Sequence, residues 1–252
     1  MADRVLIVTG GSRGIGAATS RLAAASGYTV AVNYASDATR AEALVAEIEV
    51  AGGRATAIRA DIGVEADVVR LFDEAERLGP LRGLVNNAGI VDVVARVDEM
   101  SFERLRRMFD VNTLGTIVCA REAVRRMSTR YGRDGGAIVN VSSASAKLGS
   151  PFQYVDYAAA KAAVEGFTVG LAREVVDEGI RVNAVRPGII DTEIHASGGD
   201  PDRVARVSSQ LPMKRVGLPE EVAQAILWLL SDASSYTTGA ILDVSGGRAV
   251  AP

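Results

Sequence analysis

Short apolar runs rich in β-branched residues recur along the chain at residues 5–8, 29–33, 55–59, 83–86, 137–141 and 181–185. Runs this short, apolar at successive positions instead of every second one, read as strands buried on both faces. Between them the apolar residues take helical spacing, over 17–25, 38–51, 65–78, 102–127 and 157–176. A longer irregular stretch at about 190–215 carries Gly198, Gly199, Asp200 and Pro201. An insertion of that length in a compact domain is commonly a lid or binding loop. Beyond it, 220–230 reads as a helix with Pro219 near its first turn, and 240–244 as a last strand.

Strand and helix alternate from end to end, so the crossovers are right-handed βαβ units and the sheet is parallel with helices on both faces. The expectation is one α/β domain spanning residues 1–252, a doubly wound parallel sheet of the Rossmann type, with its ligand crevice at the carboxyl ends of the strands. The length of 252 residues and a hydrophobic share of 48% suit a single large core. The 28 basic and 31 acidic residues are interspersed and leave a net charge of −3, which argues against a nucleic-acid partner. The lone cysteine, Cys119, lies in an apolar run and reads as a buried small hydrophobe. The run 5–8 is too short for a secretion signal or a membrane span, so a cytoplasmic location is expected, with no membrane partner. No metal is expected.

Directly after the first strand comes Thr9-Gly10-Gly11-Ser12-Arg13-Gly14-Ile15-Gly16, then a helix of small residues. Gly10 allows a tight turn, Gly14 lets backbone approach a pyrophosphate, and Gly16 allows close packing of helix on strand. The helix N-terminus then offers N–H groups and a positive dipole end to phosphate. The register Gly-x-Gly-x-x-Gly is rejected, because from Gly14 it meets Thr19 where a glycine belongs. Residues 10 to 16 are thus placed on a dinucleotide. At the end of the second strand, Asn33 and Tyr34 stand where an NAD-selective acid would bind the ribose hydroxyls. With no acid there, and with Arg13 and Arg40 as partners for a 2′-phosphate, NADP is favoured and NAD remains possible. Asp61, followed by Ile62, either accepts from an adenine amino group or caps the next helix. Asn87, Ala88 and Gly89 are small enough to let a ribose approach the backbone, or Asn87 ties neighbouring strands together.

Tyr157 and Lys161 are four residues apart, so they share one face of a helix. A free phenol titrates near pH ~10, and an adjacent ammonium favours its ionised form, which suits proton exchange with a substrate. The strand at 137–141 runs into Ser142, Ser143 and Ser145, where a hydroxyl can hold a carbonyl or alcohol oxygen. Taken together, the glycine loop, residues 86–89, Val111-Asn112, the serine-rich strand end, Tyr157 to Lys161 and Arg186-Pro187-Gly188 stand in the order found in the short-chain dehydrogenase/reductase family, which the chain resembles over essentially its whole length.

The resemblance implies an NAD(P)-dependent oxidoreductase that interconverts an alcohol and a carbonyl, closest in pattern to glucose dehydrogenase-like and oxoacyl-carrier-protein reductase-like members. It makes Tyr157 the general acid/base, Lys161 the group that lowers its pKa and binds the nicotinamide ribose, Ser143 the holder of the substrate oxygen, and Asn112 the support of a water-linked proton relay. It places Pro187, Gly188, Ile190 and Thr192 at the nicotinamide. Ser143 stands fourteen positions before Tyr157, one more than in many members, which leaves Ser142 and Ser145 as rivals. Tyr154 rivals Tyr157 but has no lysine four residues on. Phe152, Gln153, Tyr154 and His195 are candidate pocket residues. Small apolar residues in excess on the long helices, together with the resemblance, imply a homotetramer. The competing reading is a non-catalytic dinucleotide sensor of the same fold.

Overall fold

A computed structural model describes residues 4–194 and 206–250. Its strands are β1 (Arg4–Val8), β2 (Tyr28–Tyr34), β3 (Arg54–Arg59), β4 (Leu81–Asn86), β5 (Gly136–Val141), β6 (Ile180–Pro187) and β7 (Ile241–Val244). They form one sheet in the order β3-β2-β1-β4-β5-β6-β7, and every pairing is parallel. The order reverses beside β1, between β1 and β4, which is where an open α/β sheet binds its ligand.

Strand residues bury themselves on both faces by alternation. Val5 and Ile7 of β1 pack with Leu84, Ile138 and Val182 beneath α3 (Glu65–Glu76), α5 (Gly115–Met127) and α7 (Val155–Val175). Leu6 and Val8 pack with Val85, Val139 and Val185 against α1 (Gly14–Ala25), α2 (Ala38–Val50) and α8 (Pro219–Leu230). A chain with two such cores needs strands that are apolar at successive positions, which is why the runs show no alternation in sequence. Cys119 is fully buried in the first core.

Three segments differ from the sequence expectation. The stretch 102–127 is one helical rod interrupted by a wider turn: α4 (Phe102–Phe109) passes into a π-helical turn at Asp110–Leu114 before α5 begins. The strand end after β5 also enters a short helix, α6 (Ala144–Leu148), which Ser143 caps by accepting the N–H of Ser145. The helix after the glycine loop starts at Gly14, three residues earlier than the small-residue run suggests. Of the irregular stretch, Ile190 pairs with Gly217 as an isolated parallel bridge, and Ser208–Gln210 form a single turn. His195 and the Gly198–Pro201 segment lie outside the described residues.

Candidate active site

The glycine loop is stitched to its neighbours before any ligand is considered. Gly10 has φ +57°, and a methyl group added to it would sit 2.9 Å from the Ala88 Cα, so only glycine fits the turn. Gly16 is packed on the loop and on Asn87 instead of on a strand, its added methyl meeting the Gly10 carbonyl oxygen at 2.2 Å and Asn87 Nδ2 at 2.6 Å. The Thr9 hydroxyl donates to the Val85 carbonyl and accepts the N–H groups of Asn87 and Ala88, while Asn87 Nδ2 donates to the carbonyls of Thr9 and Gly10. Asn87 therefore ties the turn after β4 to the turn after β1. Asn33 does the same from the other side: its Oδ1 accepts the Gly10 N–H at 3.1 Å, and its Nδ2 donates to Ile58 and Ala60 carbonyls. With its amide so occupied, Asn33 shapes the loop, and half-buried Tyr34 continues the wall.

At α1 no side chain caps the N-terminus, so the first-turn N–H groups face the cleft lined by Ser12, Arg13, Gly14 and Ile15. Arg40, the other basic group foreseen for a phosphate, pairs with Glu193 at 2.5 Å, and this contact holds the Glu193 carboxyl below the usual carboxylate range. Asp61 does not cap α3. It accepts the Gly63 N–H and pairs with Arg107 at 2.9 Å, and Val64 takes the cap position. Ile62 is buried beneath Gly115. At the far end of the cleft, Pro187 ends β6, Gly188 packs on the Ser245 backbone, Ile190 is buried, and the Thr192 methyl lies 3.1 Å from where a methyl on Gly14 would sit.

The groups foreseen for chemistry converge on the same cleft. Tyr157 shares a side-chain hydrogen bond with Ser143. Lys161 is buried and donates to the Val141 carbonyl at 2.8 Å, its Nζ 5.8 Å from the centre of the Tyr157 ring. Burial pushes the Tyr157 phenol up to about 12, partly offset by the Ser143 bond, and burial lowers Lys161 to about 8. The phenol thus stands above its ordinary value and not below it, because burial disfavours its ionised form.

The rivals separate. Ser142 is buried with its hydroxyl turned onto Glu165 at 2.7 Å, away from Tyr157. Ser145 lines the cleft, and its N–H is what Ser143 accepts. Tyr154 is buried at the cap position of α7 and also lines the cleft. Asn112 sits in the π-helical turn, where its Oδ1 accepts the Ile90 N–H and its Nδ2 donates to the Ile90 and Met108 carbonyls. Gly89 is pressed between Asn112 and Lys161.

One contributor escaped the sequence reading. Asp156, next to Tyr157, accepts Arg104 from α4 at 2.8 Å and the Tyr157 N–H at 2.9 Å, with both ion-pair side chains almost fully buried. Arg104 also donates to the Val93 carbonyl, so it ties the start of α7 to the segment after β4. The pairing joins residues 52 positions apart and had no local signal.

Among the described residues, no cluster of His, Cys, Asp and Glu suits a metal ion, and no helix is long and apolar enough to cross a membrane. A family model described as enoyl-(acyl carrier protein) reductase matches residues 10–249. An uncharacterized oxidoreductase of Escherichia coli, YgfF, is 53% identical over 97% of this chain and 99% of its own length. 3beta-Hydroxysteroid dehydrogenase 1 of Eggerthella lenta is 42% identical over 99% of this chain and 95% of its own. A crystal structure of a blue fluorescent protein from a metagenomic library, in complex with NADPH, superposes with a TM-score of 0.89 at 37% identity, covering 98% of both chains. The chain belongs to the short-chain dehydrogenase/reductase family.

Proposed function

We propose that the protein is an NAD(P)-dependent oxidoreductase that interconverts a secondary alcohol and a carbonyl, with Tyr157 as the general acid/base. The observation that carries this reading is the triple convergence of Tyr157, Ser143 and Lys161 on the cleft that also holds the glycine loop. The chain fits a dinucleotide: a methyl group on Gly14 would approach Thr192 across the cleft, and the uncapped start of α1 suits a pyrophosphate. When bound, the nicotinamide supplies or accepts the hydride.

The chain's own residues supply the proton and the positioning. In reduction the Tyr157 hydroxyl donates its proton to the substrate oxygen, and the Ser143 hydroxyl orients that oxygen. A phenol held near 12 is fully protonated at neutral pH, as an acid must be. The Lys161 ammonium, still mostly charged at pH 7, stabilises the phenolate left behind and donates to the nicotinamide ribose. Asn112, its amide committed to Ile90, holds the strand-end turn beside Lys161 and supports the relay behind it. Pro187, Gly188, Ile190 and Thr192 would form the nicotinamide wall, and Asp61 and Ile62 the adenine wall.

NADP is the favoured cofactor, because β2 ends in Asn33 and Tyr34 without a carboxylate and Arg13 and Arg40 border the cleft there. The assembly is a homotetramer. Purified protein assayed at the nicotinamide absorbance with NADPH or NADP, against panels of sugars, hydroxysteroids, acyl thioesters and simple ketones, tests the reading. Turnover is expected with at least one carbonyl or alcohol, and Tyr157→Phe should lower kcat by about 100-fold or more. Parental turnover in Tyr157→Phe overturns the assignment.

A further inference from the structure

Beyond the acid/base groups, the end of β5 is fastened to α7 residue by residue. Asn140 Nδ2 donates to Thr168 Oγ1 at 2.9 Å, the Val141 carbonyl accepts Lys161 at 2.8 Å, the Ser142 hydroxyl donates to Glu165 at 2.7 Å, and Ser143 bonds Tyr157. On α7 the partners at 157, 161 and 165 follow one another by single turns. Two of these contacts belong to the proposed chemistry. The contact between them, from Ser142 to Glu165, has no part in it.

Glu165 is itself gripped. Arg186, next to the end of β6, donates to both of its oxygens, at 2.8 and 2.7 Å, and to Asp243 of β7 at 2.7 Å. The Glu165 and Arg186 side chains are only 14% and 12% exposed. Bidentate arginine–carboxylate pairs are directional as well as strong, so the carboxylate is fixed in orientation, not merely neutralised. Glu165 does not need Ser142 for its charge, since Arg186 supplies that. The consequence of the extra bond therefore falls on Ser142, whose hydroxyl has otherwise only a long contact to the Lys161 carbonyl at 3.4 Å. Successive residues of extended chain point to opposite sides, so turning Ser142 swings the Val141 carbonyl and the Ser143 side chain away from Lys161 and Tyr157 together.

We propose that Glu165, clamped by Arg186, is a positioning residue that acts through Ser142 to hold the strand end from which Val141 and Ser143 address Lys161 and Tyr157. In catalysis this rests on the proposed function above, so the test needs one readout that does not depend on turnover. Ser142→Ala removes only the bond and leaves the ion pair intact. Glu165→Gln breaks the bidentate grip while Arg186 keeps Asp243 as a partner. Glu47→Gln, at the exposed pair with Arg21, is a control for loss of an ion pair elsewhere.

Each variant is labelled with ¹³C-lysine and titrated by NMR, with Lys161→Met assigning the signal against Lys147 and Lys214. Steady-state kcat and KM are measured on whichever substrate the panel reveals. In Ser142→Ala and Glu165→Gln the Lys161 midpoint is expected to shift by about half a pH unit or more, upward if a loosened strand end admits water and downward if the Val141 acceptor is lost. Alongside this, kcat should fall by about 10-fold with the cofactor KM unchanged, since small misplacement at a reacting centre costs rate more than binding. Glu47→Gln should do neither, and Ser142→Thr, which keeps the hydroxyl, should restore the parent's values. A Lys161 midpoint in Ser142→Ala that stays at the parent's value overturns the proposal whatever kcat does. A parent without turnover, combined with a shifted midpoint, removes the catalytic reading and leaves the positioning one. If Glu165→Gln does not fold, Ser142→Ala alone decides.

Discussion

Lys161 is the residue whose surroundings most oppose its chemical form. It is buried with its ammonium donating to the Val141 carbonyl, and burial brings it down to about 8 from an ordinary 10.5. A lysine whose folded pKa lies below its unfolded one costs stability wherever it is charged in the fold, here on the order of 3 kcal/mol below pH 8. That cost fades as pH rises from the folded value toward the unfolded one. Lys161→Met is therefore expected to melt at a higher temperature than the parent at pH 7, with the gap narrowing by pH 10; thermal unfolding at the two pH values checks it, and a gap that widens contradicts it. The role proposed for Lys161 beside Tyr157 accounts for a residue carried at a cost in stability. At the other end of the cleft, Glu193 occupies Arg40 as a 2′-phosphate would. Removing that charge should favour the phosphorylated dinucleotide: Glu193→Gln is expected to lower the KM for NADPH several-fold while leaving that for NADH unchanged. An equal effect on both cofactors would remove Arg40 from the phosphate site.

Elements bring these residues to their places, and what the sequence disclosed about them depends on range. The strands and the glycine loop were legible because their signals are local: successive apolar positions for doubly buried strands, and glycines between first strand and first helix. The Tyr157 and Lys161 pair was legible for the same reason, being one helical turn apart. The π-helical turn at Asp110–Leu114 was not, since a single wide turn leaves the apolar spacing of 102–127 nearly unchanged. Nor was the choice between Ser142 and Ser143, because adjacent residues at a strand end face opposite ways and only the position of α7 decides which meets Tyr157. The Glu165–Arg186 and Arg104–Asp156 pairs arise only once β6 lies beside β5 and α4 beside α7. The wide turn has its own consequence, for it carries Asn112 onto Ile90 and leaves Gly89 wedged against it. A methyl at Gly89 would meet Asn112 Oδ1 at 2.8 Å and Lys161 Nζ at 3.4 Å. Gly89→Ala should therefore weaken nicotinamide dinucleotide binding by about 10-fold or more, read by quenching of protein fluorescence, with little change in melting temperature. Unaltered affinity would show that the turn adjusts freely.

Across the whole molecule, the two cores account for the apolar residues of the strands but not for those on the outer faces of the long helices. On α7, Val169 is 42% exposed, and Gly166 and Gly170 have open space where a side chain would stand. Leu114, where the π-helical turn meets α5, is 53% exposed. Small residues on a helix face let another helix approach closely, which fits the proposed tetramer. Multi-angle light scattering at micromolar concentration is expected to give about four times the chain mass of 26.3 kDa, and a monomer would remove the proposal. The described core holds Cys119 at full burial, with its thiol pushed well above the usual range by desolvation, so its sulfur is a packing atom and not a reagent.

The bonds from Thr9 and Asn87 that fuse the turns after β1 and β4 reach beyond the loop they shape. On the proposed cofactor reading, phosphate cradle and ribose shelf are cut from one block, so neither has to be assembled by the ligand. Two separate mononucleotides offered to this protein would each find its seat already built, and the covalent link between them would add chiefly the statistical benefit of arriving together.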